Sequence, residues 1–359
     1  MNPMLHALRT LAWFSLGVVL AAAVATRAFA ADAPTPPPQP SQGPGGAEYA
    51  YAGVAAEEVR DGAEGWWVFK PSTPVAGRVP VVVFCHGWGA MNPRTYRAWI
   101  DHIVRRGAIV IYPVYQDSLR TPPDAFLPNA IAALENAFAM LRSDATSGAD
   151  LDRVAVVGHS AGGVLAAEIA AVGAARGLPV IRAAMPVEPG DGSRGERHRA
   201  TVPMVDLSPM PAATLLLVVV GADDHLAGEA LGLRVYDEAR ALPAANRNVL
   251  ELESDDHGEP ALIANHAAPS AYAGGIAPAE PSRLRVRFAQ RLGGGVADLR
   301  NAGVVDAMDW YGTWKLFDAL TDAAFHGTHR DVALGGSPAQ TSMGAWSDGV
   351  AVKSMHVLR

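Results

Sequence analysis

The chain has 359 residues, half of them hydrophobic and 18% charged, with a formal net charge of −7. That length and apolar content suffice for a full core without metal or disulfide staples, and the acidic balance offers no basic surplus for nucleic acid. A single cysteine, Cys85, excludes an internal disulfide.

The first thirty residues carry Arg9 and Arg27 and no acid, and an apolar run from Leu11 to Val24 leads into Ala28-Phe29-Ala30, a small-x-small cleavage pattern. The run is shorter than the ~20 residues that a spanning helix needs. Residues 1–30 therefore read as a secretory signal peptide cut after Ala30, which implies a secreted or periplasmic protein with no stable membrane span. Residues 31–46 are dominated by proline and glycine. They carry too little apolar surface to order themselves and are expected to be a linker or mobile tail. Residues 47–359 are expected to form one domain, with a C-terminal extension after about 259.

Within that domain apolar strands alternate with helical stretches. Strands are predicted at Val79–Cys85, Ala108–Tyr112, Val154–Val157, Val180–Pro186, Thr214–Val220 and Val249–Glu253. Helices are predicted at Tyr96–Arg106, Ala125–Arg142, Ala161–Ala175, Ala227–Leu242 and Val304–Phe325. Nearly continuous apolar strands separated by helices indicate an α/β fold, a mostly parallel sheet covered on both faces. Cys85 sits inside an apolar strand and reads as a small buried hydrophobe. Residues 274–295 are loop-rich, and 331–359 suit a last short strand or hairpin.

The strand at 154–157 runs into Gly158-His159-Ser160-Ala161-Gly162, and a helix follows. A sharp strand-turn-helix needs small residues on either side of the serine, which Gly158 and Gly162 supply, and lifts its hydroxyl above the sheet at a positive helix end. Ser160 is the candidate nucleophile. His86-Gly87-Trp88-Gly89 follows the earlier strand. The backbone N–H groups of Trp88 and Ala161 are the candidate oxyanion donors.

A nucleophilic serine needs a base, and the base an orienting acid, in the chain order serine, acid, histidine. The strand ending at Val220 leads into Gly221-Ala222-Asp223-Asp224-His225. Asp224 is the candidate acid and Asp223 the alternative. The strand ending at Glu253 leads into Ser254-Asp255-Asp256-His257-Gly258. His257 is the candidate base and His266 the alternative. A metal site on the two Asp-Asp-His clusters is the rival reading, but neither cluster has a helical ligand spacing. Trp88, Trp99 and Tyr115 are candidates for an apolar pocket wall, though Trp99 lies in a helix where packing is the expected role.

These motifs resemble the α/β-hydrolase superfamily. His86-Gly87-Trp88, Leu151-Asp152-Arg153-Val154, Gly158–Gly163, Pro186-Val187-Glu188-Pro189, Gly221–Asp224 and His257-Gly258 are similar to the dienelactone hydrolase, chlorophyllase and cutinase-like group. The resemblance covers about half the chain. It implies hydrolysis of carboxylic esters without a cofactor. From the residues themselves the expected route is an acyl-enzyme on a small-molecule or lipid-like ester, with no metal. An amidase or peptidase, or a non-catalytic binding protein, suits the same fold.

Overall fold

Apolar runs become the strands of one mixed sheet. In chain order they are β1 Val54–Val59, β2 Trp66–Pro71, β3 Val79–Cys85, β4 Ile109–Pro113, β5 Ala149–His159, β6 Ile181–Val187, β7 Leu215–Gly221, β8 Arg247–Leu252 and β9 His356–Val357. The computed structural model describes residues 33–359 apart from residue 76, residues 194–200 and most of 275–300. The expected signal peptide and most of the glycine-rich stretch 274–295 lie outside the described residues. The sheet order is β1-β2-β4-β3-β5-β6-β7-β8-β9. The neighbours from β4 through β3 to β8 are parallel, whereas β1–β2, β2–β4 and β8–β9 are antiparallel.

The helices are α1 Arg97–Arg105, α2 Phe126–Ser143, α3 Ala161–Val172, α4 Ala230–Glu238, α5 Trp314–His326 and two four-residue pieces, α6 Arg330–Ala333 and α7 Pro338–Thr341. Successive strand residues face opposite sides, so β3 feeds two cores. Val81, Val83 and Cys85 pack with Phe126, Leu134, Val164 and Leu165 of α2 and α3. Val82 and Phe84 pack with Trp99 and Ile100 of α1 and with Trp314, Phe317 and Leu320 of α5. The C-terminal region thus covers one face of the sheet, and Thr35–Arg359 is a single compact unit.

Three expectations change. The long helix at Val304–Phe325 is two pieces, a π-helical turn at Met308–Thr313 and then α5. Gly312 breaks it at φ −94°, ψ −107°, where a Cβ would stand 3.2 Å from Leu252 Cδ2. Next, β1 and β2 extend the sheet where no strand is predicted. Finally, residues from Thr35 to Gly46 are not a free linker. The Trp310 indole N–H donates to Pro37 O at 3.1 Å, Gly45 N–H donates to Asp318 Oδ2 at 2.7 Å, and a Cβ on Gly45 would overlap Trp310 O at 1.9 Å. Prolines, with φ already fixed, lose little entropy on docking, and backbone hydrogen bonds replace the apolar surface that this segment lacks.

Candidate active site

Ser160 sits between β5 and α3 at φ 58°, ψ −123°. This positive-φ conformation is costly for a residue with a side chain. Bonds on both sides hold it: Ser160 N–H donates to Val187 O at 3.0 Å, and Ser160 O accepts from Gly163 N–H at 2.8 Å and Gly190 N–H at 3.2 Å. The glycines are sterically required. A Cβ on Gly158 would stand 2.0 Å from Gly162 O, and one on Gly162 would stand 2.2 Å from Cys85 O. Tyr115 and Glu188 are also at positive φ, 36° and 45°, and both lie on loops that border the same sheet edge.

A hydrogen-bonded chain runs from Ser160. His266 Nε2 lies 2.9 Å from Ser160 Oγ, and His266 Nδ1 lies 2.8 Å from Asp224 Oδ2. The other Asp224 oxygen, Oδ1, accepts from Leu226 N–H at 2.9 Å and Ala227 N–H at 2.8 Å. Burial alone would raise the Asp224 carboxyl, but the His266 ring and these donors outweigh it and hold the pKa below the usual carboxylate value. An ionised Asp224 accepts a hydrogen bond from His266 Nδ1–H, which keeps that proton on Nδ1 and leaves Nε2 to accept the Ser160 hydroxyl proton.

The histidine expected here was His257, and the structure corrects this. His257 is exposed and its Nε2 lies 2.8 Å from Asp348 Oδ2. After β8 the chain leaves the sheet top in a small hairpin, with Asp255 and Leu262 exchanging backbone hydrogen bonds at 2.9 Å. His257 rides on its outer turn. Buried Leu262 and Ala264 bring the chain back, and Asp223 N–H donates to Ala264 O at 3.0 Å. His266 follows two residues later. The apolar run Ala261-Leu262-Ile263-Ala264 was the sequence signal of this return. Of the two aspartates, Asp224 is buried against His266, while Asp223 is exposed on the outer side of the loop.

Among the described residues, the N–H groups of Trp88 and Ala161 have no hydrogen-bond partner within the protein, so both are free to bind an oxyanion. The neighbouring loop groups are engaged. Gly87 N–H donates to Tyr96 Oη at 3.0 Å and Gly89 N–H to Gln116 Oε1 at 2.9 Å. His86, buried and stacked on Tyr115 at 4.0 Å, ties the loop to β4, its two ring nitrogens each 2.7 Å from a carbonyl oxygen, of Gly87 and of Val114. Trp88 is half-buried and meets Phe126 edge-on at 5.2 Å. Trp99 is a core residue between Phe84 and Phe317.

A cleft of about 190 Å³ near the elbow is lined by Pro189, Gly190, Leu226, Ala227 and Leu231 together with the polar Asp191, Ser193 and Arg234. Its wall approaches Ser160 through Gly190, on which a Cβ would come 3.5 Å from Ser160 Oγ. Cys85 is buried beneath the elbow, and burial and then Glu168 push its thiol pKa well up, so it is no nucleophile at neutral pH.

Residues 82–229 match a protein-family model described as alpha/beta hydrolase fold. The chain has the α/β-hydrolase fold. The strand order, the positive-φ serine between β5 and α3 and the matched segment all agree with it. A search of curated proteins finds no match to this chain. Among its described residues no helix is long and apolar enough to cross a membrane. The Asp-Asp-His clusters do not gather as one ligand set. The buried group that does converge is His159, Glu188 and His266, with ligand atoms within 4.8 Å of one another. Both ring nitrogens of His266 already face Ser160 and Asp224, so a metal there would break that chain.

Proposed function

We propose that this α/β-hydrolase is an exported serine esterase, with Ser160 as nucleophile, His266 as general base and Asp224 as its orienting acid. The observation that carries the reading is the position of His266, within hydrogen-bond reach of both Ser160 Oγ and Asp224 Oδ2. Two-step acyl transfer follows from it. Ser160 Oγ attacks the ester carbonyl as His266 Nε2 takes its proton. The resulting imidazolium sits against ionised Asp224. His266 then protonates the leaving alcohol, and a water activated by the same nitrogen releases the acid.

The Trp88 and Ala161 N–H groups would hold the oxyanion, aided by the N-terminus of α3. Each such donor contributes about 3 kcal/mol to the transition state. The motif resemblance to dienelactone hydrolases, chlorophyllases and cutinase-like enzymes favours carboxylic esters, and the cleft near the elbow favours a small acyl or aryl group. Arg9, the apolar run and Ala28-Phe29-Ala30 favour export.

A fluorophosphonate probe tests the reading on protein collected after export. Wild type is expected to label stoichiometrically, to begin at Ala31 by N-terminal sequencing and to hydrolyse p-nitrophenyl acetate or butyrate. Ser160→Ala is expected to do neither reaction. A Ser160→Ala protein that labels as strongly as wild type overturns the assignment.

A further inference from the structure

The proposed acyl transfer requires the loop carrying Trp88 to be held at a fixed distance from Ser160, and Trp88 N–H itself bonds to nothing among the described residues. Gly89 on one side is tied to Gln116, and the tether towards the elbow is at Gly87 on the other. Gly87 presses directly on the elbow: a Cβ there would stand 2.9 Å from Tyr96 Oη, 3.3 Å from His159 Nδ1 and 3.4 Å from Ser160 Cβ. Tyr96 closes the 3-10 turn Pro93–Tyr96 just before α1. Its ring is buried against Phe84 at 5.1 Å. Its hydroxyl lies in the crease between loop and elbow, accepting from Gly87 N–H at 3.0 Å and standing 2.8 Å from His159 Nδ1.

The direction of the second bond follows from the far side of the ring. His159 Nε2 is 3.3 Å from Glu188 Oε2, a close approach though not aligned as a hydrogen bond. A carboxylate there favours the ring proton on Nε2. Nδ1 is then an acceptor, and the Tyr96 O–H donates to it. Burial, and then the His266 ring, lower the His159 pKa to about 3, so the ring stays neutral and the link persists across ordinary assay pH. One hydroxyl therefore accepts from the oxyanion loop and donates to the residue adjoining the nucleophile, which a phenyl ring cannot do.

We propose that the Tyr96 hydroxyl is a positioning group for acyl transfer, clamping the oxyanion loop to the nucleophile elbow through Gly87 and His159. The inference rests on the esterase reading above. Its effect is on the transition state: Trp88 N–H meets the oxyanion, not the resting ester, so loss of the clamp lowers kcat more than it raises KM.

The test is Tyr96→Phe, which keeps the packing and removes the oxygen. With the active fraction counted by fluorophosphonate titration, kcat per labelled site for a p-nitrophenyl ester is expected to fall about 10- to 100-fold, with KM within about twofold. Affinity for a boronic acid that forms a tetrahedral adduct on Ser160 is expected to fall in parallel. Unchanged kcat per labelled site overturns the proposal. Should Tyr96→Phe not fold, the comparison moves to His159→Gln, whose amide oxygen can accept from Tyr96, against His159→Leu. The former is expected to keep kcat at least about tenfold higher, and equal values overturn the proposal. Wild type that neither labels at Ser160 nor turns over esters overturns the esterase reading instead. Active wild type beside an unimpaired Tyr96→Phe overturns only the clamp.

Discussion

At the scale of single residues, backbone sterics and burial decide where the candidate groups sit. Ser160 is held at positive φ because Gly158 and Gly162 let three backbone segments meet, and each glycine would clash with a carbonyl oxygen if it gained a Cβ. Behind the elbow, Glu168 lies buried inside α3 and accepts Val205 N–H at 2.9 Å. Burial lifts its carboxyl to about 7. Because the folded pKa is above the unfolded one, the folded state holds the proton more tightly. Stability is then greatest below the unfolded pKa and falls as pH rises towards 7. Between pH 5 and 8 wild type is expected to lose about 2 kcal/mol more unfolding free energy than Glu168→Gln, measured by urea denaturation. Equal losses in the two proteins would contradict this. Sequence pattern carries the elbow and the Asp223-Asp224 pair, since each follows directly from a buried strand. It misplaces the histidine because the hairpin closed by Asp255 and Leu262 separates the end of β8 from the return of the chain. The first histidine past the strand, His257, is therefore carried outward to Asp348.

Among the elements, the strands buried on both faces were legible as continuous apolar runs, and β3 and β7 fall close to where those runs put them, whereas β5 begins five residues before its apolar run at Val154–Val157. Strand β1 was not, for a physical reason: Val54-Ala55-Ala56-Glu57-Glu58-Val59 is a largely exposed edge with no apolar alternation, held by its register with β2. The proline-rich segment was misread because its docking uses backbone groups, which composition does not report. Asp318 of α5 organises that docking. It accepts from Gly45 N–H at 2.7 Å, lies 2.9 Å from His102 Nε2 and is 3.2 Å from Arg106 Nε. Burial would raise its pKa, but His102, Arg106 and these hydrogen bonds outweigh it and hold it below the usual carboxylate value. Removing one member of such a buried charge cluster costs about 3–5 kcal/mol. Asp318→Ala is expected to lose stability on that scale and to gain a protease-sensitive site between residues 35 and 46. A variant as stable and as protease-resistant as wild type would contradict this role.

For the molecule as a whole, the parallel sheet brings three separate loops to one edge. Ser160 follows β5, Asp224 follows β7 and His266 follows β8, while the C-terminal residues close the opposite sheet face with α5 and pair β9 to β8. More than 100 residues separate Ser160 from His266, so their contact is a property of the fold and of no local motif. The most direct measurement is kcat for a p-nitrophenyl ester in two single variants, His266→Ala and His257→Ala. The expected result is a fall of at least about 1,000-fold in kcat for His266→Ala, as for loss of a catalytic base, with His257→Ala within about twofold of wild type. An active His266→Ala, or a His257→Ala as impaired as the loss of a base, would contradict the assignment.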